Sequence, residues 1–527
     1  MKNNFKKYLL IMALGTGLYG MQGCTDKLDL SPENTTTSDV VFSTMEGYRS
    51  SLAKLYISMA TEGNIPSQIV SDGGNTGLLR QFWNLQCITT DEAAWTFTGN
   101  TDPIGLHQFT WNASTQAVSG AYYKSYYIIT LCNNYLQEST DAKVTTRGFA
   151  DADKSIIKNY RAEARFIRAY CYWVLMDLFG NVPFADESIV VGSGVLPQQM
   201  TRANLFTWLT TELVDLQTDM VAAKSNEYGR VDKAGAQALL ARIYLNAEVY
   251  AGTPKYNEAL TAAKSVIDAG YSLHPKYREL MLADNNENTT ENIWTLQFDG
   301  LKTQSYSGTT FLVHAPAGIT GDSSGSGGTW NCMRMTEQFV DKFNAADIRG
   351  QFWTATQQKN MDLLLGNAAV THGYSSSKYR NKTKTGGLAP NYDATFASID
   401  FPVFRTAEMY LIYAEAVVRG ANEGDAGTAL NYLKALAQRA RPGDPNAGNG
   451  AQMTLPYIID ERGRELFWEG FRRTDLVRFG QFTTGAYLWS WKGNVRNGRA
   501  MPDYYNLFPI PATDISSNPN IDQNPGY

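Results

Sequence analysis

The sequence predicts a mostly α-helical protein: a helical scaffold with tetratricopeptide-type helix hairpins, long loop-rich insertions and short strands. Three observations predict it. An apolar 3.6-residue period runs from Asp153 to Phe179, and two later segments each pair two periodic, alanine-rich stretches. After residue 40 no long Gly/Ser or Pro linker divides the 527-residue chain, so residues 41–527 read as one domain.

In the first segment Tyr160, Ala164, Ile167, Cys171, Val174 and Leu178 recur at spacings of four and three, which makes one continuous face. Gly180 ends that helix, and Pro183 follows where a helix does not easily resume. In "AGAQALLARIYLNAEVYAGTPKYNEALTAAKSVIDAG", Ala236, Leu240, Ile243, Ala247 and Tyr250 line one helix. Tyr256, Ala259, Ala263 and Val266 line a second, with Gly252 and Pro254 at the turn. Small contact residues let two antiparallel helices approach closely. A second hairpin runs from "TAEMYLIYAEAVVRG" (Ala407, Leu411, Ala414, Val418) to "AGTALNYLKALAQRA" (Ala429, Leu433, Leu436, Ala440). The two hairpins are more than a hundred residues apart, so the repeat is not a simple tandem array.

The N-terminus reads as an export leader. Lys2, Lys6 and Lys7 precede the apolar run "YLLIMALGTGLYG", which is too short for a stable membrane anchor. Gly23 before Cys24 fits a lipoprotein cleavage site, with residues 1–23 removed and the Cys24 thiol acylated. Residues 24–40, including Asp26, Asp29 and "SPENTTT", read as a flexible tether. The formal net charge of −5 becomes three units more negative without the leader lysines, and basic residues form no run. This excludes the electrostatic footprint of a nucleic-acid binder.

Four cysteines remain: Cys87, Cys132, Cys171 and Cys332. None forms a CxxC pair, and with only four histidines a zinc site is not expected. Their disulfide state is open at this level. Aromatic residues make up 12% of the chain, more than any chemistry-bearing motif would need, and most must be core. The charged stretch "DERGRELFWEGFRRTDLVRFG" reads as helical ion pairing: Glu461 with Arg464, and Glu469 with Arg472 and Arg473, on a surface helix.

Four segments, "EARFIRAYCYWVLMDLFGNVPF", "FPVFRTAEMYLIYAEA", "DERGRELFWEGFRRTDLVRFG" and "FPIPATDISSNPNIDQNPGY", together resemble the SusD/RagB family of Bacteroidetes outer-membrane lipoproteins. They stand in the family's order and, with the leader, cover essentially the whole chain. The resemblance implies a SusD-like fold and a partner, a SusC-like TonB-dependent transporter on which the lipoprotein sits as a mobile lid. It also implies a lipid anchor at Cys24 that holds the protein on the outer membrane, facing the medium. "TDEAAWTFTGN", "GLKTQSYSGTTFLV", "GGTWNC" and "RFGQFTTGAYLWSWKG" look like the family's starch-binding founder, which makes an α-glucan the favoured ligand.

A neutral sugar is gripped by stacking its C–H face on aromatic rings and by hydrogen bonds to its hydroxyl rim. By that resemblance Trp95, Tyr306 and Trp330 are the stacking platforms of an arc, and Asn100, Arg80 and Asp72 are the hydrogen-bonding groups. Phe97 replaces a second tryptophan of the founder's pattern. "TFTGNTDP" after Trp95 and "GITGDSSGSGG" before Trp330 read as loops, the second too small to bury anything, which leaves both tryptophans exposed. For Asp72, before two glycines, a turn role is an equal reading. Asp91 and Glu92 read as local backbone or helix-start partners.

No metalloenzyme motif is present, and no segment shows the paired carboxylates of a glycosidase in an aromatic cleft. The chain is therefore expected to be no enzyme and to need no cofactor. "ADNNENTTEN" lacks the spacing of a calcium loop and reads as a plain loop, with a structural calcium as the lesser reading. Competing functions are a transporter lid for another glycan or for peptides, a lipid-anchored glycoside hydrolase, and a helical scaffold without a small ligand.

Overall fold

The computed structural model describes residues 37–65, 73–97, 102–190, 192–363 and 371–527. The leader, Cys24 and most of the tether lie outside these residues. Ser38–Val41 form a helical turn capped by the Thr37 hydroxyl. Backbone contacts divide the chain into two units, Met1–Tyr48 and Arg49–Tyr527.

The architecture is mostly α. In chain order the helices that matter here are α1 (Met45–Ala60), α2 (Leu78–Trp83), α3 (Gln116–Glu138), α4 (Asp151–Phe179), α5 (Lys233–Leu245) and α6 (Tyr256–Asp268). They continue with α7 (Gly308–His314), α8 (Thr406–Val418), α9 (Ala426–Ala440), α10 (Leu455–Leu466) and α11 (Arg472–Arg478). Among the described residues the strands form four antiparallel pairs: β1 (Ala94–Trp95) with β5 (Met333–Arg334), β2 (Val182–Pro183) with β3 (Gln199–Met200), β4 (Asn292–Leu296) with β8 (Phe401–Arg405), and β6 (Phe352–Trp353) with β7 (Ser375–Ser376). No described helix is long and apolar enough to cross a membrane.

Helix α4 starts at Asp151, with Asp151 and Asp153 in its first turn where the helix dipole favours negative charge. It ends as expected at Gly180, whose φ of 75° few other residues adopt. The first hairpin is interrupted at Asn246. There the Asn246 amide donates to the Arg242 carbonyl at 3.0 Å and its oxygen accepts from Arg478 at 2.9 Å. A short helix, Ala247–Ala251, resumes the apolar face, and left-handed Gly252 closes the turn. In the second hairpin Asp425 caps α9 by accepting from the Thr428 amide at 2.6 Å.

The hairpins lie side by side despite their separation in sequence. Leu260 of α6 is buried in one apolar cluster with Leu411 and Ala414 of α8, Leu433 and Leu436 of α9, and Ile458 of α10. Burying one such leucine contributes about 1.5–3 kcal/mol. Asn257 pairs with Asn422 in both directions, at 2.8 and 2.9 Å, and fixes their register.

The charged stretch is not a surface ladder. Glu461 does pair with Arg464 at 2.8 Å, but Glu469 binds Lys378 at 2.6 Å and Arg405 at 2.7 Å, not Arg472 or Arg473. Arg472 instead pairs with Asp91, 2.7 Å away, and Arg473 donates to the Asn506 carbonyl at 2.6 Å. Arg405, at the end of β8, also holds Glu291 and Glu465, and Arg439 bridges the same two carboxylates. Arg349 joins Asp347, Glu461 and Glu465. Arg405, Arg439, Arg349 and their carboxylate partners are buried, so this cluster ties β8, α9 and α10 together across the interior. The pairing rule at three and four residues held for Glu461 and Arg464 but not for Glu469, because burial lets long-range partners compete.

Asp91 and Glu92 are likewise tertiary partners. Asp91 accepts from Arg472 and from the Tyr487 hydroxyl at 2.7 Å, while Glu92 accepts from the Trp468 amide at 3.2 Å. The Arg472 guanidinium lowers the Asp91 pKa despite burial, whereas burial raises that of Glu92 to about 8. All four described cysteines are buried, with no disulfide among them.

Candidate functional site

Short backbone constraints build the site. Gly74 lies against the Arg80 guanidinium and the Tyr306 carbonyl, where a Cβ would collide with Arg80. Arg80, on α2, donates to that carbonyl at 3.4 Å and lies 4.4 Å over the Phe311 ring. Glu62 accepts from the Tyr306 amide at 2.9 Å. Helix α7 then begins at Gly308, whose φ of 59° brings the backbone against Phe298. Phe311 and His314, three residues apart, share a face of α7.

Trp330 lies on that face. Its amide donates to the His314 carbonyl at 2.6 Å, and its ring stacks on the imidazole at 4.9 Å and 15°. The imidazole is held at both ends: Nδ1 is 2.6 Å from the Gly328 carbonyl and Nε2 2.8 Å from that of Thr395. Burial lowers its pKa, while the two carbonyl contacts work against that shift. Tyr306 stands 6.4 Å from Trp330 at 46°, 5.2 Å from Phe396, and is 45% exposed. Trp330 is half-buried.

The expected rings do converge. Trp95, Phe311, Trp330 and Tyr306 follow one another at centroid steps of 6.5, 6.4 and 6.4 Å. Their roles differ from expectation. Trp95 is only 3% exposed; its ring lies parallel to Phe311 and its Nε1 donates to the Phe97 carbonyl at 2.9 Å. It backs the row of rings rather than presenting a face to solvent. Arg80 is 4% exposed and braces Tyr306 and Phe311 from beneath. Phe97 is half-buried, and Asp72 and Asn100 lie outside the described residues.

The Gly/Ser run before Trp330 is packed, contrary to its composition. Gly321–Ser324 form a helical turn under the Thr320 cap, and the Ser324 and Ser326 hydroxyls meet at 2.8 Å. Gly325, at φ 72°, lies against the Asn381 carbonyl, and the Gly327 amide donates to that of Ala394 at 2.7 Å. Backbone hydrogen bonds replace side-chain burial here, and they fix Trp330. Sequence reasoning missed Phe311, His314 and Phe396. The first two had a signal, an aromatic and a histidine at helical spacing just after Tyr306. The result is an uncharged aromatic shelf, suited to the C–H face of a neutral ligand.

Comparison with known proteins bears on the whole chain. A sequence model described as "SusD family" matches residues 365–527, and one described as "Starch-binding associating with outer membrane" matches residues 28–245. Starch-binding protein SusD of Bacteroides thetaiotaomicron is 33% identical, covering 100% of both chains. The chain belongs to the SusD family. SusD-like protein P2 of Formosa agariphila is 25% identical over 97% of this chain and 98% of its own. Among solved structures, a SusD superfamily protein of Bacteroides vulgatus has a TM-score of 0.70 at 21% identity, covering 92% of this chain and 99% of its own. Surface glycan-binding protein A of Bacteroides thetaiotaomicron, in complex with laminarihexaose, has a TM-score of 0.67 at 20% identity, covering 91% and 99%. The mostly α architecture is thus that of the SusD superfamily.

Proposed function

We propose that this SusD family member binds starch-like α-glucans at the cell surface and passes them to a SusC-like TonB-dependent transporter. The observation that carries the reading is the open pair Tyr306 and Trp330, braced by His314, Phe311 and Arg80. The full-length identity to a starch-binding protein supports α-glucan as the ligand. Cys24 is the acylated residue that anchors the chain to the outer membrane, and the globule faces the medium. Each stacked ring contributes about 1 kcal/mol, and ordering the sugar chain offsets part of that. Affinity for a short oligosaccharide is therefore roughly micromolar to millimolar. Weak binding suits a protein that must release its cargo.

Binding without hydrolysis is the role proposed. A glycosidase needs two carboxylates flanking the bond, whereas Asp91 and Glu92, closest in sequence to Trp95, are buried against Arg472 and Trp468. A β-glucan ligand is the second reading, motivated by the laminarihexaose complex of a protein with the same fold. Electrophoresis through gels containing amylopectin or laminarin separates the two. Retardation by amylopectin that disappears in Trp330→Ala is expected. Retardation by laminarin alone would replace the α-glucan assignment, and none by any glycan would remove the proposal. Fatty-acid labelling that is lost in Cys24→Ala tests the anchor.

A further inference from the structure

Beside the shelf is a second cavity. A cleft of 310 Å³ opens between the second half of α1, the turn at residues 227–230 and the edge of β4. Its lining includes Ala53, Ile57, Tyr228, Gln297, Thr303 and, at the rim, Arg49. The Tyr228 ring is 40% exposed, and its hydroxyl donates to Asp400 at 2.7 Å while its carbonyl accepts from the Gln297 amide at 3.2 Å. The ring is therefore held in place before any ligand arrives. Ile57, 52% exposed, supplies a further apolar surface. Arg49 and Glu227 neutralise each other across 2.9 Å, so the rim offers hydrogen bonds without net charge. One fixed aromatic ring, an aliphatic wall and neutral amide and hydroxyl groups match a pyranose better than an ion.

The cleft and the shelf share one segment of chain. Thr303 lines the cleft, and Tyr306 is three residues on, at most ~11 Å along the backbone. On the other wall Ala60 lines the cleft, and Glu62, two residues later, holds the Tyr306 amide at 2.9 Å. Tyr306 is therefore joined to both walls of the cleft by short stretches of chain. We propose that the Tyr228 cleft is a second sugar subsite, which takes the continuation of a glucan chain whose first units lie on Tyr306 and Trp330. The proposal rests on the shelf reading above and extends it from short oligosaccharides to the polymer. Two modest sites on one chain raise the effective concentration of each for the other, so the gain appears only with ligands long enough to reach both.

The test uses isothermal titration of the full mature chain with maltotriose and with a long linear maltodextrin, alongside amylopectin gels. Ala53→Trp fills the cleft from an exposed position without removing an internal hydrogen bond, and Gln297→Ala, also exposed, removes a polar contact. Both should keep the maltotriose affinity within twofold and weaken the long dextrin about fivefold or more, with weaker gel retardation. Long-dextrin affinity within twofold of wild type in both variants would overturn the subsite while leaving the shelf intact. Equal loss for short and long ligands would also overturn it, since it would place both residues at the shelf. If Trp330→Ala binds maltotriose as wild type does, the shelf reading fails first and the extension falls with it.

Discussion

At the residue scale the shelf depends on groups that do not touch the ligand face. His314 is a positioning residue: it stacks behind Trp330 while two carbonyls fix its ring. His314→Ala should leave a void behind Trp330 and weaken maltooligosaccharide binding about five- to tenfold, or roughly 1–1.4 kcal/mol. His314→Phe keeps the stacking surface and should recover part of that loss. Titration of the two folded variants checks it, and equal affinity of His314→Ala and wild type would refute the role. The tryptophans show where residue-level inference ran short. That Trp95, Tyr306 and Trp330 belong together was legible in their motifs. That Trp95 lies inside was not, because the ring it packs against, Phe311, is more than two hundred residues away.

At the scale of elements, α4 and the two hairpins were legible because their apolar periods are long and their stops, Gly180 and Gly252, are glycines at positive φ. The break at Asn246 was not legible, since it depends on Arg478 reaching in from a distant helix. Stacking of the hairpins is equally non-local. Leu260→Ala, at a fully packed contact between α6 and the second hairpin, should cost about 2–5 kcal/mol in chemical denaturation without changing glycan affinity. The Gly/Ser element before Trp330 should respond oppositely. Gly325→Ala forces a Cβ into the Asn381 carbonyl at a left-handed φ, so the segment must shift. The expected result is about 1–3 kcal/mol of destabilisation together with weaker binding. Unchanged affinity would show that the run does not position Trp330.

At the scale of the whole molecule, composition announced a charged stretch but not that it would form an interior ionic cluster. Arg405 contacts three carboxylates, Glu291 far from it in sequence and Glu465 and Glu469 close to each other, and each would be left buried and undercompensated without it. Arg405→Met should therefore cost about 3–5 kcal/mol, and 1 M salt should change wild-type stability little, because buried pairs are weakly screened. The pH dependence follows from the same burial. Arginines hold the carboxyls of Glu461, Glu465, Asp475 and Glu415 below their usual range. Their stabilisation is present above the unfolded carboxylate pKa and is lost as pH falls through the folded values, so it is retained at pH 5. Glu92 has the opposite sign. Its folded pKa near 8 lies above the unfolded value, so its contribution is full below about pH 4.5 and fades as pH rises to 8. One such group gives a slope of at most about 1.4 kcal/mol per pH unit. Glu92→Gln, which cannot ionise, should lose less stability than wild type between pH 5 and 8 in parallel denaturation series. Superimposable pH profiles of the two proteins would mean that Glu92 is already ionised in the folded interior at pH 5.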